Sequence, residues 1–495
     1  MKFLVLKLKL TILYLQAHVI GGFSGSFSTR DVCRYCHVQY EDLQDHIHNF
    51  VEGKSVHEPW TVTEYDSIVE QVDHGGDFGE VEHVQITEIN LFDEHDDPEE
   101  EIDQDSEEEA SDEELNESHG LKGKCVFNDL KSFHCVISMP PDCLHDLFEG
   151  VLAQDLLGII RILKTKGWYS IEEYNQALKR FPLSPQESSN KPQPVPVKNS
   201  VKKLPGKAVS IWCHARFLLS ILSLNDWIKD PQESTLKYAE LLIDVTNRVT
   251  AEKFEDYEIM RLEDLVILLL DLRKNVLADN PILGSAKPKH HYLTHYAENI
   301  RKFGPPMGYW TGRFESKHRV AKSVADSSKN FKNISLTVSN RQQLRMASTY
   351  YHGMYDAEEY KLPIVVKQKS DLIEEGLENN LKEFLGDLDL ISDQITWRER
   401  IYKHEMVVVI SRKDLLEMKV GSIKRIVVKK DRVYLLVRRA TVILNQSKVF
   451  QTETVEDNLV FVNIEDLQDS YPLFKRGNEE KFFIIPHHHI SFLYE

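Results

Sequence analysis

The strongest constraint on this chain comes from two short spacings that lie far apart. Cys33-Arg34-Tyr35-Cys36 is the only Cys-x-x-Cys in the sequence, and His290 and His295 form an H-x4-H more than 250 residues later. Two thiols and two imidazoles at such spacings are the donor set that tetrahedral zinc takes. If Cys33, Cys36, His290 and His295 share one metal, two distant stretches must fold into one domain. Histidines on a helix are more often ordinary buried or surface side chains than ligands. The cysteine pair changes that reading, because in a reducing compartment such a pair binds metal or does redox chemistry rather than forming a disulfide. His37, His46 and His48 follow the pair and read as polar loop.

The other cysteines argue the same way. Six in a chain of 495 residues, unevenly spread, do not make a secreted disulfide framework. At this length the chain has room for two to four domains. Its formal charge of −19 is concentrated: Glu94 to Glu117 holds fifteen acids and no Lys or Arg, and without that run the charge falls to −4. Such a block reads as a solvated, disordered loop. At the N-terminus, Lys7 and Lys9 interrupt the apolar run that a signal peptide needs, and the Leu4, Leu6, Leu8, Leu10 alternation is strand periodicity. No segment has the roughly 18 uninterrupted apolar residues of a membrane helix.

Read in order, Phe3 to Leu15 is a strand that ends at Gly21-Gly22. Pro140-Pro141-Asp142 opens a helix, with Asp142 as N-cap and Leu144, Leu147, Phe148 and Val151 on one face. Helical patterns span Leu152 to Lys179, Ala208 to Trp227, Thr235 to Thr250 and Asp256 to Leu277, with a Pro/Ser/Lys-rich loop at Ser184 to Pro205. Phe314 to Val324, Asn333 to Tyr351 and Ser370 to Leu385 are helical as well. After Trp397 the pattern turns to short β runs, with Lys430-Asp431 as a hairpin turn, which points to a small barrel of five or six strands. From Lys287 to Arg345 twelve Lys or Arg face three acids, a net of +9 in an acidic chain. Interleaved with Tyr292, Tyr296, Tyr309, Trp310 and Phe331, this is an electrostatic footprint for phosphates. The bland alternative is a solvated helix face over packed aromatics.

Three motifs, "GGFSGSFSTRDVCRYC", "MPPDCLHDLFEGV" and "PKHHYLTHYAENIRKFGPPMGYWTGRFESKH", resemble those of the animal CACTA/EnSpm-type DDE transposases, a group related to the V(D)J recombinase catalytic subunit. They occur in the family's order and cover roughly Phe3 to Tyr351. The resemblance implies an α+β fold: a partial RNase H-like core with a large all-α insertion, plus the small C-terminal β domain. On that scheme residues 1–50 hold an RNase H-like strand and the Cys pair, 51–119 the acidic loop, and 120–285 the helical insertion. Residues 286–352 complete the core with the His pair and the Glu helix, 353–397 form a helical linker, and 398–495 form the β domain.

The resemblance also implies a structural zinc on Cys33, Cys36, His290 and His295, and Glu315 as the last catalytic carboxylate. It makes Asp142 and His145 site-supporting residues through their D-x-x-H. Within the basic stretch read above, Lys287, Lys289, Arg313, Lys317, Arg319 and Lys322 are the expected DNA contacts. DNA and a second copy of the chain are the implied partners, with no membrane and no small-molecule substrate, and the implied location is the nucleus, or otherwise the cytoplasm. A DDE enzyme holds two Mg2+ between three carboxylates. Matching "HVIGGF" to the family pattern puts the second of these near Leu13, yet no acid occurs from Met1 to Thr29. The expectation is a transposon-derived protein without catalysis. Its alternatives are an active magnesium-dependent transposase or nuclease whose N-terminal part is missing from this chain, and an interaction scaffold built on the helices and the β domain.

Overall fold

The structure is a computed structural model. It describes residues 21, 23, 31–43, 50–51, 54–55, 58–75, 120–185, 187–329, 332–351, 360–362, 384, 386, 389–414, 416–430, 432–445 and 449–491. The expected strand at Phe3 to Leu15, the acidic run, His46, His48 and all of Ser370 to Leu385 except Phe384 lie outside the described residues. Helices dominate up to Tyr351 and antiparallel strands follow, so the chain is α+β. It divides into two units, residues 1–151 with 259–352, and residues 152–258 with 353–495.

In the first unit the hairpin β1 (Phe50–Val51) and β2 (Lys54–Ser55) precedes α1 (Val62–Gly75). Against α1 lies the short α2 (Cys135–Ser138). Trp60, Tyr65, Val69, Leu121, Cys125, Cys135 and Met139 form one apolar cluster with Phe23. The Tyr65 hydroxyl in this cluster donates to Gly21 O at 2.6 Å and accepts from Cys125 N at 3.1 Å. A buried phenol thus acquires the partners that burial requires.

The expected helix at Asp142 forms, but as a π-helix, Cys143–Leu152. Its Leu144, Leu147, Phe148 and Val151 are buried, as the sequence periodicity anticipates. After the turn Lys287, the unit continues with α8 (Pro288–Tyr292), α9 (Tyr296–Phe303), α10 (Gly312–Ser328) and α11 (Ile334–Tyr351). Pro288 at the first position of α8 suits a residue with no N–H to leave unpaired.

In the second unit the stretch Leu152 to Lys179 is two helices, α3 (Ala153–Thr165) and α4 (Ile171–Arg180), rather than one. Gly167 sits between them at φ +72°, which ends the first helix, and Ser170 with Glu173 forms a capping box that starts the second. Helix α5 (Ala208–Leu224) is buried almost all round, and α6 (Ser234–Val249) packs against it and against α3. Helix α7, Asp256–Asp279, starts in the second unit and belongs to the first from Ile259 onward.

Strands β3 (Tyr360–Lys361), β5 (Gln394–Trp397) and β6 (Arg400–Lys403) make a three-stranded sheet. The larger sheet corrects the expected barrel of five or six strands. Among the described residues it has eight, in the order β11-β7-β8-β9-β10-β13-β12 with β4 on β8. They are β4 (Leu390–Ser392), β7 (Val407–Arg412), β8 (Glu417–Lys429), β9 (Arg432–Leu444), β10 (Phe450–Asn463), β11 (Asp469–Leu473), β12 (Arg476–Gly477) and β13 (Phe482–Ile484). The runs Val433 to Val437 and Thr441 to Leu444 are one strand. Arg438 and Arg439 interrupt the apolar pattern without breaking the ladder, where they pair with Ser422 and Gly421. Lys429 pairs with Arg432 around the anticipated turn, and Lys430 takes φ +49° there. Within this unit Glu187 is buried between Arg216 at 3.1 Å and Arg476 at 2.7 Å.

Candidate metal centre and the adjoining carboxylate cluster

The backbone around the cysteine pair closes on itself: Val32 N donates to Val38 O at 3.0 Å, and Asp31 bridges Gln39. This tight loop points Cys33 and Cys36 inward, where they meet His291 and His295. Cys33 Sγ lies 3.4 Å from His295 Nε2, Cys36 Sγ lies 3.1 Å from His291 Nε2 and 3.6 Å from His295 Nε2, and the two Nε2 atoms are 3.1 Å apart. All four are buried, with their ligand atoms within 4.8 Å of one another. Tetrahedral bonds of about 2.3 Å to sulfur and 2.0–2.1 Å to nitrogen would set such donors roughly 3.3–3.8 Å apart. The set is therefore placed to hold a metal ion and is compatible with zinc.

The electrostatics fit that role. Burial pushes the Cys33 thiol up, but its hydrogen bond with Cys36 and the charges of His295 and His291 outweigh burial and hold it well below the usual thiol range. Burial and the neighbouring Cys33 push Cys36 well up, and burial lowers His295. Two thiolates at this spacing need a cation to coexist, which is what a bound metal supplies. Around the ligands Trp60 Nε1 donates to Cys33 O at 3.2 Å, and the Tyr35 ring stands 4.8 Å from that of His295.

His290 is not part of this set, which corrects the H-x4-H expectation. His291 and His295 are four apart, so they share one helical face, whereas five residues turn the side chain away. His290 is buried elsewhere and its Nδ1 accepts the Lys287 N–H at 3.0 Å. The doublet His290-His291 offered two registers, and the sequence reading took the five-residue one. His37 binds Asp31 Oδ2 at 2.6 Å instead of the metal set.

A second cluster lies where the π-helix meets the start of α10. Asp142 Oδ2 accepts from His145 Nδ1 at 2.5 Å and from the Thr311 hydroxyl, while Asp142 Oδ1 accepts from Thr311 N at 3.0 Å and Leu144 N at 3.3 Å. The N-cap role read for Asp142 is thus present, and a contact 169 residues away is added to it. His145 Nε2 faces Glu315 Oε1 at 3.1 Å and Glu149 Oε2 at 3.9 Å. Burial raises Asp142, but its hydrogen bonds from His145 and Thr311 win and hold it below its ordinary value. Burial lowers His145, but Asp142 and the glutamates raise it further than burial can lower it. Burial pushes the neighbouring Asp146 up to about 6. Glu149 and Thr311 were not singled out in the sequence; Glu149, four residues after His145, was the available signal.

The two clusters are joined by backbone contacts. Tyr35 Oη donates to Met139 O at 3.0 Å and Arg34 reaches Pro140 O at 3.4 Å, two residues before Asp142. Of the basic residues, Lys287 and Arg313 are exposed and Lys289 and Lys322 half-buried, while the side chains of Lys317 and Arg319 lie outside the described set. Lys289 runs beside Gly150, where an added Cβ would meet its Cδ at 2.5 Å. Arg301 and Lys302 are paired with Glu263 and Glu298 at 2.8 and 2.5 Å. No helix among the described residues is long and apolar enough to cross a membrane. No family model, curated protein or solved structure matches the chain.

Proposed function

We propose that the chain is a transposon-derived relative of the CACTA/EnSpm-type DDE transposases, with an RNase H-like core held by zinc, a capacity to contact DNA, and no strand-cleaving activity of its own. The observation that supports this best is that the three motif stretches converge: Cys33 and Cys36 on His291 and His295, and Asp142 and His145 on Thr311 and Glu315. Residues 262 positions apart in the chain meet at one point, with His291 in the place of the His290 that the resemblance implies.

The acids do not fit two magnesium ions. Such a site needs carboxylates with free oxygens on both ions. Both Asp142 oxygens are taken, Asp146 is buried with Oδ2 on Asp142 N and only Oδ1 without a partner, and Met1 to Thr29 contains no acid. Glu315 is engaged by His145 Nε2 at 3.1 Å, which Glu149 also faces at 3.9 Å. No strand-transfer step is assigned to these residues.

What remains is DNA contact through the basic stretch from Lys287 to Arg345, sequence-independent and salt-sensitive. The test is fluorescence anisotropy of the full chain on a duplex across a salt series, with a Lys287→Glu, Arg313→Glu, Lys322→Glu triple variant. The expected result is non-specific binding, on the order of 10⁻⁴–10⁻⁶ M at physiological salt, weakened in the variant with a shallower salt slope, and no cleavage with Mg2+. Absence of binding even at low salt, or the same affinity in the variant, would remove the DNA reading. Mg2+-dependent nicking would remove the inactive one.

A further inference from the structure

We infer that Cys125 and Cys135 are a redox-modification site, at which a peroxide converts the two thiols into one intramolecular disulfide and a small dithiol restores them. This goes beyond the transposase reading and does not depend on it, since neither residue belongs to the metal centre or to the carboxylate cluster.

The loop between them holds the pair together. Cys125 and Cys135 are ten residues apart, and Asn128 ties their backbones: its N–H donates to Cys125 O at 3.0 Å, and its Oδ1 accepts from Cys135 N at 2.9 Å. Leu130 N donates to Phe127 O and Phe133 N to Leu130 O, each at 3.0 Å, so the segment turns back on itself. The rings of Phe127 and Phe133 meet edge-on at 6.0 Å. On the inner side one hydroxyl serves both ends. Tyr65 Oη accepts from Cys125 N at 3.1 Å and donates to Gly21 O at 2.6 Å, and the Cys135 thiol reaches the same carbonyl at 3.6 Å. Both cysteines thus enter one apolar cluster from the two ends of a short loop.

Burial alone makes a cysteine an inert small hydrophobe. Cys143 and Cys213 are of that kind, because burial pushes both thiols up. Cys125 differs in having Cys135 beside it as a thiol donor. That hydrogen bond outweighs burial and brings Cys125 down to about 7, while the same bond and burial push Cys135 far up. One partner is therefore a nucleophilic thiolate and the other keeps its proton, as disulfide formation requires. The way in is short. Every residue from Val126 to His134 is exposed or half-buried, so local opening of this loop admits a small oxidant.

The chemistry balances with a peroxide as oxidant. The Cys125 thiolate attacks one peroxide oxygen: an S–O bond forms, the O–O bond breaks, and the departing hydroxide takes a proton from solvent. The Cys135 sulfur then attacks the Cys125 sulfenic acid. An S–S bond forms, the S–O bond breaks, and hydroxide leaves with the Cys135 proton as water. Two electrons pass from the sulfur pair to the peroxide. In a reducing compartment such a disulfide is transient and serves as a redox sensor.

The test is a short exposure of the full chain to hydrogen peroxide at neutral pH, then alkylation of the remaining thiols and peptide mapping by mass spectrometry with and without dithiothreitol. The expected product is a peptide cross-linked between Cys125 and Cys135, lighter by two hydrogens and reversed by dithiothreitol. It should form at least about tenfold faster than Cys143 or Cys213 is oxidised. In Cys135→Ser, Cys125 should stop at a sulfenic acid that dimedone traps. In Cys125→Ser, oxidation of Cys135 should fall to the rate of Cys143. A thermal melt close to that of the wild type shows each variant folded, and the wild-type map stands without the variants. Oxidation of all the buried thiols at one rate, a disulfide between Cys33 and Cys36 as the sole product, or no cross-link at all would overturn the proposal. DNA affinity is not read in this experiment, so its failure leaves the DNA reading standing.

Discussion

Replacing one or the other member of the His290-His291 doublet by alanine separates two accounts of the metal centre. In His291→Ala, Cys36 loses the imidazole 3.1 Å from its sulfur, and three donors remain in a site that is closed on all sides. A structural zinc contributes on the order of 10 kcal/mol or more to the fold it closes. Losing one ligand leaves buried, poorly compensated thiolate charge, at a cost of about 3–5 kcal/mol. In a unit of this size each kcal/mol shifts Tm by roughly 2–4 °C, so a fall of about 6–20 °C is expected. In His290→Ala the loss is one hydrogen bond to Lys287 N–H and some packing, about 1–3 kcal/mol, with the metal retained. The assay is zinc per chain by mass spectrometry alongside a thermal melt. If His290→Ala lost the zinc and His291→Ala kept it, the four-residue register derived from the helix face would be wrong.

Two further outcomes are expected in the second unit. The Arg476 and Arg216 charges overcome burial and hold Glu187 below its ordinary value, so its contribution is present above the unfolded glutamate range near pH 4.5 and fades as pH falls through the lowered folded value. Glu187→Gln should cost about 3–5 kcal/mol at neutral pH and flatten that acid limb in pH-dependent denaturant melts; an unchanged limb would show that this pair does not set it. Gly421→Ala would place a Cβ 2.8 Å from Val437 side-chain atoms across the β8-β9 ladder, which should cost about 1–3 kcal/mol in a denaturation midpoint.

What could be read in the sequence follows from the length over which each signal acts. The helical pattern of α5 and the turn at Lys430 are local patterns, and both occur close to where they were read. The break at Gly167 was hidden because the residues on either side keep a helical pattern. A π-helix has no composition of its own: Cys143–Leu152 carries the same apolar residues that an α-helix would. The metal centre was legible as a donor set but not as a register. The Thr311 contact to the His145-Asp142 pair depends on a fold that brings residues 169 apart together, and no spacing reports that. The same holds for Glu187, whose partner Arg476 is 289 residues away.

The claim on which the rest depends is that Cys33, Cys36, His291 and His295 hold one zinc. X-ray absorption at the zinc edge of the purified chain measures this directly. The account requires a four-coordinate shell of two sulfurs at about 2.3 Å and two nitrogens at about 2.0 Å, lost together in Cys33→Ser. A shell of nitrogen and oxygen alone, or a stable protein without zinc, would contradict it.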